Sequence, residues 1–249
     1  MKKILSFSAI TFTVMCCAQT QIIAHRGYWK TEPATAQNSI ESLKNAQKLK
    51  VYGSEFDVRM TKDGVLVINH DPELNEISIA KTDYKTLKKQ KLSNGESIAT
   101  LQQYLKQGKK DSSVRLIVEL KSLKTEALEN EMTQKAIETV QKLGIEDQVD
   151  YISFSLNICK QIKKIQPKAV VQYLRGDISP SEIKKLGIDG IDYHYNVFLE
   201  KEKTWLSEAK ELGLITNAWT VDDPEIFKKL KSAGIQLITT DIPEQLLNE

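Results

Sequence analysis

Glu55 and Asp57 stand two residues apart in the run "SEFDV". In an extended strand that spacing puts both carboxylates on one face and Phe56 on the other. Glu119 and Lys121, in "VELK", share a face by the same rule. The chain has three histidines, and two of them directly follow short β-branched apolar runs: His25 in "IIAHRG", beside Arg26, and His70 in "VINHD", beside Asp71. A single acidic residue in a strand more often makes a surface ion pair. Three carboxylates at neighbouring strand ends repel one another unless a cation neutralises them, and hard oxygen donors of this kind suit Ca²⁺ or Mg²⁺ rather than zinc. Imidazole titrates near neutrality, with an ordinary pKa of about 6.5, so one ring can accept a proton while the other donates one. These residues together suggest an acid/base pair working beside a divalent cation. His194, in "DYHYN", lacks this setting and reads as structural.

Such residues need a scaffold that brings distant segments to one point. Short strand-like runs recur at 21–24, 54–58, 115–120, 150–154, 169–174, 190–193, 214–219 and 236–240. Helical stretches with boundary signals separate them. "NSIESLKNAQKL" begins with Asn38 and has Glu41 three residues on, a capping-box pattern with Ile40, Leu43 and Ala46 along one face. "SPSEIKKLG" and "DDPEIFKKLKSAG" both place a capping side chain, Ser179 or Asp223, before a proline, and a glycine past the end. Strands alternating with helices imply parallel βαβ units, and eight of them predict a closed (β/α)₈ (TIM) barrel of the α/β class, with a doubly wound open sheet as the other candidate. A long stretch between the second and third barrel strands, residues 59–114, breaks the rhythm. It contains a further strand at 65–69, and its part 59–98 is expected to lie as an insertion between strand 2 and helix 2, over the barrel mouth. The candidate residues all fall at strand C-terminal ends or on the inserted strand, where barrels of this kind do their chemistry.

The segments "HRG", "SEFDVRMTKDGVLVINHD", "VELK", "NAWTVDD" and "LITTDIP", in order from about residue 21 to 243, resemble the glycerophosphodiester phosphodiesterases. The resemblance implies a (β/α)₈ barrel that uses Ca²⁺ or Mg²⁺ to hydrolyse glycerophosphodiesters to glycerol 3-phosphate and an alcohol. It implies His25 and His70 as the catalytic pair, Glu55, Asp57 and Glu119 as metal ligands, Arg26 and Lys121 as phosphate contacts, and Trp219 as an aromatic wall for the glycerol unit. One position departs from the pattern. The family's P-E-N-T segment is replaced here by "TAQNSI", with Gln37 in place of the acidic residue, so metal preference or substrate class is expected to shift if that carboxylate matters. Barrel phospholipases related to sphingomyelinase D or the phosphatidylinositol-specific enzymes share two histidines and an acidic cluster. They need apolar membrane-contacting loops, and residues 74–114 are polar. A non-catalytic glycerophosphodiester-binding protein would have no use for two proton carriers.

The remaining features bound the setting. The 249 residues carry a net charge of +2, which gives no electrostatic case for nucleic acid, and the lysine-rich runs read as solvated faces. Residues 1–18 have the build of a secretory signal: Lys2 and Lys3, then an uncharged apolar stretch from Ile4 to Met15, then small residues. Cleavage before Gln19 would leave residues 19–249 as the barrel domain, exported to the periplasm or the exterior; lipidation of Cys16 or Cys17 would anchor it instead. No later segment is apolar for long enough to span a bilayer. Cys159 is the only other cysteine, so no internal disulfide is expected. The expected partner is a small, water-soluble glycerophosphodiester, and the oligomeric state stays open.

Overall fold

The structure, a computed structural model, describes residues 19–249, so the secretory segment expected at 1–18 lies outside the described residues. The strands are β1 (Gln21–Ala24), β2 (Gly53–Met60), β3 (Leu66–Ile68), β4 (Glu73–Leu74), β5 (Ile77–Ser78), β6 (Arg115–Leu120), β7 (Val149–Ser153), β8 (Val170–Tyr173), β9 (Gly190–His194), β10 (Ile215–Trp219) and β11 (Leu237–Thr240). Eight of them run parallel in the cyclic order β1, β2, β6, β7, β8, β9, β10, β11, and β1 closes the ring by pairing with both β2 and β11. The fold is therefore a (β/α)₈ barrel, and the open-sheet alternative is excluded.

Strand alternation decides what faces where. In β2, Phe56 and Val58 point outward into the large core shared with the helices, where Leu43, Leu105, Ile137 and Ile158 pack. Ile23, Ile117, Ile152, Leu174 and Leu237 fill the barrel interior as a separate, smaller cluster. Parallel strands buried on both faces normally read as continuous apolar runs. The buried Glu55, Asp57 and Glu119 break that rule, as expected where function outweighs packing.

The helix signals hold at 180–185 and 224–232. Ser179 accepts from Glu182 N and Asp223 from Glu225 N, each followed by proline, and Gly187 and Gly234 take the left-handed conformation past the ends. The helix at Ile40–Leu49 differs from expectation. Ser39, not Asn38, is its N-cap, accepting from Ser42 N, and the acidic group at its N-terminus comes from outside the helix: Glu96 accepts from Ile40 N at 3.0 Å and Glu41 N at 3.1 Å. Asn38, at φ +58°, is diverted to the site described below.

The inserted segment also differs. Met60, Arg59 and Val58, at the end of β2, turn back antiparallel onto β3, and residues 65–98 bury a core of their own around Val67, Leu74, Ile79, Leu87 and Ile98. It therefore flanks the mouth on the β2 side rather than covering it, and His70 is its only residue lining the central cavity. Among the described residues, no helix is long and apolar enough to cross a membrane.

Candidate active site

The mouth opens into a cavity of about 200 Å³. His25 enters it directly after β1, and its backbone N–H continues the ladder to Thr240 O at 2.9 Å. The chain then reverses through two left-handed residues, Arg26 (φ +56°) and Gly27 (φ +77°). At Gly27 a Cβ would lie 2.8 Å from the backbone carbonyl carbon of Ser42, so only glycine fits this turn. The reversal aims Arg26 N at Glu55 Oε2 (2.8 Å) and brings the Arg26 side chain back over the site, its Nε 3.8 Å from Asp57 Oδ2.

Glu55 and Asp57 come from β2 and Glu119 from β6, registered so that Asp57 lies opposite Glu119. One oxygen from each of the three lies within 4.8 Å of the others. All three are buried, and Glu55 Oε1, Asp57 Oδ1 and Glu119 Oε1 accept no well-formed hydrogen bond. Lys121 Nζ approaches two of these atoms, at 2.6 Å from Asp57 Oδ1 and 2.7 Å from Glu119 Oε1. Asn38 completes the support of Asp57, donating to Oδ2 at 2.7 Å and accepting from the Asp57 backbone N–H at 3.1 Å.

These surroundings separate the acidities. Burial, then the charges of Asp57 and Glu119, push Glu55 well above the usual carboxylate range. Burial and Asp57 also push Glu119 up, against the pull of Lys121. Burial opposes ionisation of Asp57 too, but Lys121, His70 and the Asn38 hydrogen bond overcome it and hold its carboxyl low. Three buried carboxylates beside one ammonium leave excess negative charge and Glu55 Oε1 without a partner, a donor set that fits a hard divalent cation.

The two histidines differ in support. His25 Nδ1 is 2.7 Å from Asp241 Oδ1, which directs Nε2 inward, 4.0 Å from Glu55 Oε2. His70 is the more open ring, 39% exposed, with Nδ1 2.8 Å from Asp71 Oδ1. Burial lowers its pKa below the ordinary imidazole value, with Asp57 pulling the other way. Arg59 donates through Nε to the His70 carbonyl at 2.8 Å and fixes the backbone that carries the ring. His194 lies outside the cavity lining, edge-on to Trp219 with ring centroids 5.1 Å apart.

All of the expected residues except Asp57 line the cavity; Asp57 is buried beneath it, held by Asn38 and Lys121. Gln37 accepts from Arg26 Nη1 at 2.6 Å, so this position bears on the cluster through the arginine. Trp219 donates from Nε1 to Asp192 O at 3.0 Å and meets Phe154 edge-on, forming with Leu174 and Ile152 an apolar side to the cavity. Asp241, Asn38 and Asp192 are residues whose place in the site was not foreseen. Asp241 follows β11 as His25 follows the adjacent β1, so strand-end reading extended to "TTDIP" would have found it.

A closed barrel with a buried acidic triad, two flanking imidazoles and two cationic side chains at its mouth is the layout of a phosphate-ester hydrolase. The family model of the glycerophosphoryl diester phosphodiesterase family matches residues 25–245. The chain belongs to that family and is a phosphoric diester hydrolase. It is 29% identical over 248 residues to a glycerophosphodiester phosphodiesterase of Caldanaerobacter subterraneus subsp. tengcongensis, an alignment covering 92% of this chain and 97% of the relative. A solved glycerophosphodiester phosphodiesterase from Parabacteroides distasonis superposes with a TM-score of 0.90 at 44% identity, covering 93% of this chain and 96% of the other. An Oleispira antarctica phosphodiesterase solved in complex with the product sn-glycerol-3-phosphate superposes with a TM-score of 0.80 at 25% identity, over 92% and 96% of the two chains.

Proposed function

We propose that this protein is a divalent-cation-dependent phosphodiesterase that hydrolyses glycerophosphodiesters to glycerol 3-phosphate and an alcohol, with His25 and His70 as its proton carriers. One observation carries the reading: a single cavity gathers both imidazoles, Arg26, Lys121, Glu55 and Glu119, with Asp57 buried beneath them and Glu55 Oε1 left without a partner. The product held by the Oleispira relative supports the substrate class.

Hydrolysis consumes one water. Its oxygen bonds to phosphorus, the bond from phosphorus to the alcohol oxygen breaks, and the departing alkoxide takes a proton. The chain supplies what these changes require. Arg26 and Lys121 hold the phosphate oxygens and offset the negative charge that grows on them. Asp241 fixes the tautomer and direction of His25, so its inward Nε2 is free to exchange a proton. His70, carried on the flanking segment, exchanges the second; one ring removes a proton from the nucleophile and the other protonates the leaving group. Glu55, Asp57 and Glu119 would hold Ca²⁺ or Mg²⁺, which supplies Lewis-acid charge against the phosphate. Trp219 and Phe154 offer flat apolar faces to the carbon chain of the glycerol unit.

The secretory pattern in residues 1–18 supports action outside the cytoplasm, as a released or lipid-anchored protein. The deciding experiment follows choline release from glycerophosphocholine with and without a chelator. The expected result is turnover that chelation abolishes and added Ca²⁺ or Mg²⁺ restores, together with a lowered Tm in the chelated protein. Undiminished turnover in chelator would end the cation assignment, and no turnover under any condition would end the substrate assignment.

A further inference from the structure

Asp192, on β9, is 1% exposed, yet it lines the central cavity, and its Oδ1 has no hydrogen-bond partner among the described residues. Gln172 on β8 is likewise buried with an unpartnered amide, but it packs over Gly190 and does not reach the cavity. Among the described residues, Asp192 is therefore the one buried side chain outside the carboxylate triad that carries an orphaned atom and also lines the cavity. A buried carboxyl without a partner is costly, and nothing among the described residues provides one.

Position says what could. In the cyclic strand order, β9 is four strands from β2 in either direction, so Asp192 approaches from directly across the barrel from Glu55 and Asp57. Its flanking strands contribute Leu174, just past β8, and Trp219 on β10, both apolar. Glycerol bound with its phosphate at the charged side would lay its carbons on these apolar faces and bring its far hydroxyl towards β9. Resting on the glycerophosphodiester reading above, we propose that Asp192 is a specificity-determining residue that hydrogen-bonds the terminal hydroxyl of the glycerol unit, the one furthest from phosphorus.

The test compares glycerophosphocholine with the choline phosphodiester of propane-1,2-diol esterified at its primary hydroxyl. The second substrate lacks only the terminal hydroxyl and keeps the one next to the ester. Wild-type kcat/KM should favour glycerol by about 10⁴-fold, the scale for a site built to bond a hydroxyl. Asp192→Leu should bring the two within about threefold, by loss on glycerophosphocholine alone, whereas Asp192→Asn, which still presents a carbonyl oxygen, should keep most of the preference. Should Asp192→Leu not fold by circular dichroism, Asp192→Ala carries the same comparison. Equal loss on both substrates, or a wild-type enzyme indifferent to the missing hydroxyl, overturns the inference and leaves the reaction standing. A wild type that turns over neither substrate overturns the reaction instead. Calorimetry with sn-glycerol 3-phosphate and propane-1,2-diol 1-phosphate then decides the inference, tighter glycerol 3-phosphate binding that is lost in Asp192→Leu supporting it and equal affinities overturning it.

Discussion

His25 is held from behind by Asp241 and faces Glu55, while His70 leans on Asp71 in a more open position. On the proposed mechanism, His25→Ala and His70→Ala each lower kcat by roughly 10² to 10⁴-fold with an unchanged circular dichroism spectrum. His194→Ala should leave kcat near the native value and raise KM, because its ring supports Trp219 from outside the cavity. A His194 variant as damaging to kcat as the other two would show the pair to be wrongly chosen. Asp241 also has a signature in stability. Burial pushes its carboxyl up, but the His25 hydrogen bond and charge, Lys30 and Trp29 overcome this and bring it down to about 2. A depressed native pKa stabilises the fold above the unfolded value of about 3.9, and that contribution disappears as pH falls towards about 2. The gap in unfolding free energy between wild type and Asp241→Asn, measured in urea, should accordingly close as pH falls from about 4 to 2. A gap that widened on acidification would contradict the assignment. The sequence displayed the chemistry of this site but not its supports. Asp241 lies 216 residues from His25 and Asn38 lies 19 from Asp57, so local spacing could not pair them. Asn38 was also masked by its resemblance to a helix cap, a role that its neighbour Ser39 fills.

At the level of elements, the eight strand runs and the Ser179 and Asp223 caps were legible because short β-branched apolar runs and capping chemistry are local. The path of residues 59–98 was not. Its turn signals were visible, but its packing against the side of the barrel depends on a core assembled from Val67 through Ile98 and on Glu96 reaching the start of the helix at residue 40. The β1 turn shows how an element and a site share one constraint. Gly27 allows the reversal that delivers Arg26 N to Glu55 and the guanidinium to Gln37 and Asp57. Gly27→Ala combines a disfavoured positive φ with a clash against Ser42 backbone, and should destabilise by about 1–3 kcal/mol in urea unfolding. It should also lower kcat, since the displaced turn carries both His25 and Arg26. Native stability in this variant would mean that the turn is not under the constraint described.

Across the whole molecule, charge and apolar surface are distributed in a way that bears on substrate size. The cationic and acidic groups converge at one end of the barrel around a cavity of about 200 Å³, room for a phosphate and a short polyol. The large exposed apolar side chains among the described residues, Leu128, Leu186 and Leu247, come from different segments and form no continuous strip leading to that cavity. The flanking segment turns its apolar residues into its own core and leaves a polar outer surface. An acyl chain drawn from a bilayer would thus cross polar surface to reach the phosphate site, losing its apolar surroundings at about 0.8 kcal/mol for each methylene exposed. Deacylated diesters carry no such penalty, and their leaving alcohol can project past the half-exposed His70 into solvent. The expected order of kcat/KM is therefore glycerophosphocholine and glycerophosphoinositol close together, and phosphatidylcholine vesicles far below both. Vesicle hydrolysis at a comparable or higher rate would mean that a lipid-facing route exists at the mouth, and would move the protein towards the phospholipases that share this arrangement of histidines and acids.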